Sequence, residues 1–114
     1  MSSAIIEAGL SGAVLDVHRA LASLQEELEA IDWYHQRAAT ADDPELKAVL
    51  EHNRDDEMEH MAMLLEWLRR SLPGFDLQLR RLLFRSGAIT APAAAAPAPD
   101  GVGLGLGGLK GGRS

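Results

Sequence analysis

Cysteine is absent from this 114-residue chain, so no disulfide framework and no thiolate metal site can form, and any metal would be held by Glu, Asp and His. Long apolar runs are missing too: no stretch approaches the roughly 20 apolar residues that a helical membrane span needs. The opening MSSAIIEAGLSGAV lacks the basic start and continuous apolar segment of a secretory signal, so a cytoplasmic chain is expected. Positive charge is scarce: 9 basic and 16 acidic residues precede Ser86, with 2 and 1 from there on, giving a body of −7 and a tail of +1. An acidic body argues against a nucleic-acid partner and favours the attraction of cations.

What is there begins with helical periodicity. Val14, Val17, Leu21, Leu24, Leu28 and Ile31 recur at alternating spacings of three and four, a seam that predicts a first helix from about Ser11 to Ala38. The stretch Thr40 to Pro44 stops it and starts another, with Asp43 as a cap and Pro44 suited to the first helical position. So short a connection makes the two helices antiparallel. The second, from Pro44 to about Ser71, carries Leu46, Leu50, Asn53, Glu57, His60, Leu64 and Trp67 at the same alternation, and its seam turns polar in the middle. Leu72, Pro73 and Gly74 end it, and Phe75, Leu79, Leu82 and Leu83 predict a shorter third helix to about Phe84.

From Ser86 the pattern disappears. APAAAAPAPD reads as an extended Pro/Ala spacer, whereas GVGLGLGGLKGG carries Leu104, Leu106 and Leu109 beside Lys110, more apolar side chains than a flexible spacer requires. Three segments are therefore expected: a helical domain over 1–85, a linker over 86–103 and a possible anchor over 104–114, short extended peptides being able to seat such side chains in a partner's pockets. A foldable part of about 85 residues is marginal alone, and small helical chains commonly bury a shared face between subunits.

The polar part of the second seam carries the chemistry. Glu57 and His60 form a Glu-x-x-His pair on one helical face, close enough to meet a common ligand. In isolation such a pair on an acidic helix is most often solvated surface. Here it occupies successive seam positions, where ionisable groups are costly to bury without partners or a metal. Glu27 lies beside the first seam on the stripe Leu24, Ile31, Tyr34. Counted from Ala41, Glu27 is 14 residues away and Glu57 is 16, so at about 1.5 Å per residue they reach similar heights along the antiparallel pair. Di-iron carboxylate bundles use a Glu from each of two helices and a Glu-x-x-His from each of the other two. This chain holds half that set, and a two-fold dimer would complete it at the subunit interface. Carboxylates with few imidazoles suit iron or manganese better than a structural zinc.

The segments EELEAIDWY (Glu26 to Tyr34) and HNRDDEMEH (His52 to His60), followed by MAMLLEWLRR, resemble the encapsulated ferritins. The resemblance spans the two main helices and, separately, the end of the tail. It implies an all-α fold, an antiparallel two-helix hairpin plus a short C-terminal helix, dimerising into a ferritin-like four-helix bundle within a ring-shaped homodecamer. It also implies a ferroxidase that oxidises Fe(II) with O2 inside the shell of an encapsulin nanocompartment, where iron is stored. Glu27, Glu57 and His60 fall on the family's iron ligands. Glu26 and Glu29 fall on carboxylates used as a secondary metal site at the approach to the centre, where calcium is often bound; on sequence alone they would be surface charges. Trp33 and Tyr34 match aromatic positions beside the site, where packing is an equally good account and Tyr34 can hydrogen-bond a ligand. The stretch LGLGGLKG resembles the encapsulin cargo-loading peptide, with Leu106 where Ile is commoner and Gly108 where Ser often stands.

His18, His35 and His52 receive no role from the sequence. Two other readings stay open: a di-iron or di-manganese peroxidase-type protein on the same ligands, and a non-catalytic helical module whose acidic seam pairs with a basic partner.

Overall fold

The computed structural model describes residues 4–92, and the expectations for Leu104, Leu106, Leu109 and Lys110 lie outside them. Three helices follow one another: α1 (Gly12–Thr40), α2 (Pro44–Ser71) and α3 (Pro73–Leu82). There is no strand among the described residues, and none of their helices is long and apolar enough to cross a membrane.

Local chemistry sets the ends of the hairpin. Ser11 caps α1, its hydroxyl accepting from the Val14 N–H at 3.3 Å. Asp43 caps α2, its Oδ2 accepting from the Leu46 N–H at 2.8 Å, and Pro44 has no N–H to leave unpaired. Between them Ala41 is extended, its N–H returning to the Arg37 carbonyl at 3.0 Å. The Ala38 carbonyl, in the last turn of α1, accepts from Lys47 Nζ at 2.9 Å, so the first turn of α2 supplies a donor to the end of α1.

The helices run antiparallel, as the short connection requires. Ala38 meets Lys47, His35 meets Arg54 and Glu27 meets His60, the position on α1 falling as that on α2 rises. The line of α1 turned toward α2 is Ala20, Leu24, Glu27, Ile31, Tyr34 and Ala38, all buried or half-buried. This differs from the expected seam: Leu24 and Ile31 belong to it, but Val14, Leu21 and Leu28 are 40–50 % exposed. On α2, Leu50, Asn53, Glu57 and Leu64 are half-buried, while Leu46, His60 and Trp67 are exposed. The two heptad lines of each helix separate because a single partner helix covers only a narrow stripe. Among the described residues the buried apolar ones are Ala20, Ala38 and Leu68, with Leu68 alone fully buried, so the hairpin has almost no core of its own. The half-exposed Leu and Met side chains along the helices each forgo part of the roughly 1.5–3 kcal/mol that full burial supplies.

Near the end of α2, Glu66 accepts from Arg69 and Arg70 at 2.7–2.8 Å, and the two guanidinium groups, Arg69 foremost, hold its carboxyl down to about 2.

The unit from Leu72 onward begins with α3. Its start is earlier than expected because Pro73 takes the first helical position, and the Leu72 carbonyl accepts from the N–H groups of Phe75 and Asp76. It ends at Leu82, and Phe84, with φ 57°, takes the left-handed conformation that terminates helices. Residues 86–92 form neither helix nor strand.

Removing the α2 cap tests this account of the turn. Asp43→Ala is expected to lower stability in urea unfolding by about 1 kcal/mol, whereas Asp42→Ala, whose side chain makes no cap, leaves the midpoint almost unchanged.

Candidate metal centre

Midway along the hairpin, Glu27 from α1 and the Glu57–His60 pair from α2 come together. His60 Nδ1 lies 3.3 Å from Glu57 Oε1 and 3.5 Å from Glu27 Oε1. One donor atom from each of the three residues lies within 4.8 Å of the others, an arrangement able to hold a metal ion. Among the described residues no other three His, Asp or Glu side chains converge in this way. Helical geometry explains the pairing on α2, since residues three apart stack on one face. The antiparallel register explains Glu27.

The site is enclosed on one side and open on the other. The side chains of Glu27 and Glu57 are each 23 % exposed, while that of His60 is 47 % exposed. Glu27 Oε1 is buried without a hydrogen-bond donor, a costly state for a carboxylate oxygen that a cation would relieve. Donor atoms about 2.0–2.2 Å from one metal ion would be separated by about 3–3.5 Å, and the two spacings from His60 match that requirement. Two carboxylates and one imidazole therefore fit a hard-to-borderline divalent cation such as iron or manganese. Three donors leave further coordination positions facing the open side, beside His60.

The protonation states follow from the crowding. Contact with the Glu57 carboxylate pushes the Glu27 carboxyl above the usual carboxylate range, and burial adds to this. Glu57 is held below that range, first by its hydrogen bond with Glu27 and then by His60. His60 is raised above the ordinary imidazole value, chiefly by Glu57 and then by the charge of Glu27.

The other residues singled out from sequence lie around this cluster. Glu26 is exposed and Glu29 half-buried, and neither belongs to the converging group. Trp33 is exposed. Tyr34 is half-buried on the same line of α1 as Glu27 and Ile31, with the Arg37 guanidinium 5.9 Å from its ring centre, within the range of a cation–π contact. Sequence reasoning missed a further contact between the helices: Arg54 Nη1 lies 3.2 Å from His35 Nδ1. The available signal was positional, because His35 follows Leu28 by seven residues on a line that otherwise carries Val14 and Leu21.

A family model for the EncFtn-like proteins matches residues 4–86. The chain belongs to the EncFtn-like family. Its hairpin and α3 lie within the matched segment, and the family assigns the chain a ferritin-like, iron-related role. A ferritin-like protein of Thermotoga maritima is 58 % identical over 81 residues, 71 % of each chain. An encapsulated ferritin-like protein of Rhodospirillum rubrum is 58 % identical over 78 residues, 68 % of this chain and 56 % of that one. Among solved structures, the protein ne0167 of Nitrosomonas europaea superposes with a TM-score of 0.70 at 55 % identity, covering 72 % of this chain and 90 % of that one.

Cation binding at the centre has a defined pH dependence. It requires a neutral His60 and ionised carboxylates. His60, with its raised pKa, takes up a proton at a pH above its ordinary 6.5, and Glu27 above its ordinary 4.5. Co(II) affinity measured by anaerobic titration is thus expected to decline as the pH is lowered, with the loss beginning before pH 6.5 is reached. Affinity constant down to pH 5 would contradict the donor assignment.

Proposed function

We propose that this protein is a ferroxidase that oxidises Fe(II) to Fe(III) with O2 at a di-iron site shared across a homodimer, and that it delivers the product for storage inside an encapsulin nanocompartment. The observation that carries this reading is the convergence of Glu27, Glu57 and His60, half of a di-iron ligand set, at the open side of a hairpin. Two-fold pairing of hairpins through that side places four Glu and two His around two ions.

In this reading Glu27 and Glu57 would hold the substrate Fe(II) and offset its charge. His60 offers Nδ1 to the ion from the exposed side, next to the Glu57 carboxylate. Protons displaced from Glu27 and His60 leave as iron enters. Each Fe(II) gives up one electron, and O2 accepts two to become peroxide or four to become water. Tyr34 supports the Glu27 side of the site, with Trp33 its aromatic neighbour, and Glu26 and Glu29 offer a secondary site for incoming cations, calcium among them.

Two exposed apolar strips support assembly beyond a dimer. Val49, Met63 and Trp67 flank His60 along α2, whereas Val14, Leu21 and Leu28 on α1, with Met58 on α2, occupy the other flank of the hairpin. A hairpin with two such faces can close a ring of dimers, which the homodecamer expected from sequence would be. Retention of the protein in the lumen falls to the peptide 104–114, with Leu104, Leu106 and Leu109 seated in the shell wall beside Lys110. Kinship with an encapsulated ferritin-like protein supports that partner.

Fe(II) oxidation followed under air by the near-ultraviolet absorbance of Fe(III), with assembly mass recorded in parallel, tests the reading. Wild type should consume O2 in proportion to Fe(II), and Glu27→Ala, Glu57→Ala and His60→Ala should each fall to the rate of iron in buffer alone. Wild-type activity no faster than buffer would overturn the assignment, and turnover of peroxide with a reductant would favour a peroxidase. Deleting residues 104–114 should abolish co-purification with the co-expressed shell protein while leaving the oxidation rate unchanged.

A further inference from the structure

The centre depends on the register of α1 against α2. Glu27 comes from one helix and the Glu57–His60 pair from the other, and His60 Nδ1 reaches both carboxylates, at 3.3 Å and 3.5 Å. Packing constrains this register only in part: the buried apolar residues, Ala20, Ala38 and Leu68, lie toward the ends of the hairpin, and beside the centre Leu24, Ile31 and Leu64 are half-buried. A shift of one residue along a helix moves a side chain by about 1.5 Å and turns it by about 100°, while a working site tolerates only about 0.5 Å. A directional contact between the helices close to the centre would add to the constraint that keeps Glu27 and the Glu57–His60 pair at the same height.

Arg54 is placed to do this. It precedes Glu57 by one turn, its side chain is 22 % exposed, and its Nη1 reaches across to His35 Nδ1 at 3.2 Å. Its Nε donates to Asp55 at 3.1 Å, so the neighbouring carboxylate turns the guanidinium fork toward α1. Guanidinium has donors and no acceptor, which makes His35 Nδ1 the acceptor and leaves the proton of the neutral ring on Nε2. The contact thus fixes both the tautomer and the rotation of His35. It lies between the Lys47–Ala38 tie at the turn and the centre, on the flank away from the open side beside His60.

We propose that Arg54 and His35 form a positioning pair that sets the register of α2 against α1 and thereby holds Glu27, Glu57 and His60 at metal-binding separation. Neither residue touches the cation. The inference rests on the metal-centre reading given above but not on the redox reaction, since it concerns binding.

The test is a double-mutant cycle on the full chain, with anaerobic Co(II) titration as the readout and thermal unfolding of the metal-free protein measured alongside. Arg54→Met removes the donor, His35→Leu removes the acceptor with Arg54 intact, and the double variant removes both. Each single variant should bind Co(II) about tenfold more weakly or worse, as is typical when a residue supporting a metal ligand is lost. The double variant should bind no more weakly than the worse single, which is the signature of coupling. His35→Gln, whose amide oxygen can accept from Arg54, should recover most of the affinity, and Leu50→Ala serves as the comparison for general destabilisation. Unchanged Co(II) affinity in Arg54→Met and His35→Leu would overturn the proposal. So would losses that add independently, or that merely track the unfolding temperature as in Leu50→Ala. A wild type that binds Co(II) but does not oxidise iron would remove the ferroxidase reading alone, while a wild type that binds no Co(II) would remove both.

Discussion

The close approach of two carboxylates across an antiparallel helix pair is the constraint around which this hairpin is organised. The crowding raises the Glu27 carboxyl and the His60 imidazole above their ordinary ranges and holds Glu57 below its own. A divalent cation held there would offset the crowded negative charge and give the buried Glu27 oxygen a partner. Because the carboxylates arise from different helices, the same cation would also tie α1 to α2.

Incomplete burial and incomplete coordination have one origin. A two-helix hairpin can enclose a site on one side only, so three donors converge while the side beside His60 stays open. The apolar residues along α2 that flank His60, Val49, Met63 and Trp67, are exposed for the same reason. Covering that face with a second hairpin would remove apolar surface from water and complete the coordination in one event. Metal binding and assembly would then be linked, each favouring the other.

Much of the local architecture was legible from residue types. Asp43 caps α2, Pro44 takes its first helical position, and the Glu-x-x-His spacing puts Glu57 and His60 on one face, whereas Pro73 looked like a stop for α2 and instead opens α3. The height of Glu27 followed from counting back through the turn. The seam was legible only in part: Leu24 and Ile31 face α2 as expected, yet Val14, Leu21 and Leu28 lie to the side. A heptad line reports that a face wants covering and does not say whether the chain's own next helix or another copy covers it. His35 looked like one more seam residue, and its bond to Arg54 depends on a side chain 19 positions away.

By itself, then, the sequence determined the helices, their antiparallel order, the absence of thiolate chemistry and the identity of the three converging donors, because capping, spacing and rise per residue act within one helix or across one short turn. Only the tertiary structure decided how far each helix is rotated about its own axis. That rotation separates the stripe shared by α1 and α2 from the exposed strips, leaves His60 on the open side and brings Arg54 to His35. Periodicity specifies angles around a single helix axis. The phase between two axes emerges only when both surfaces are packed together.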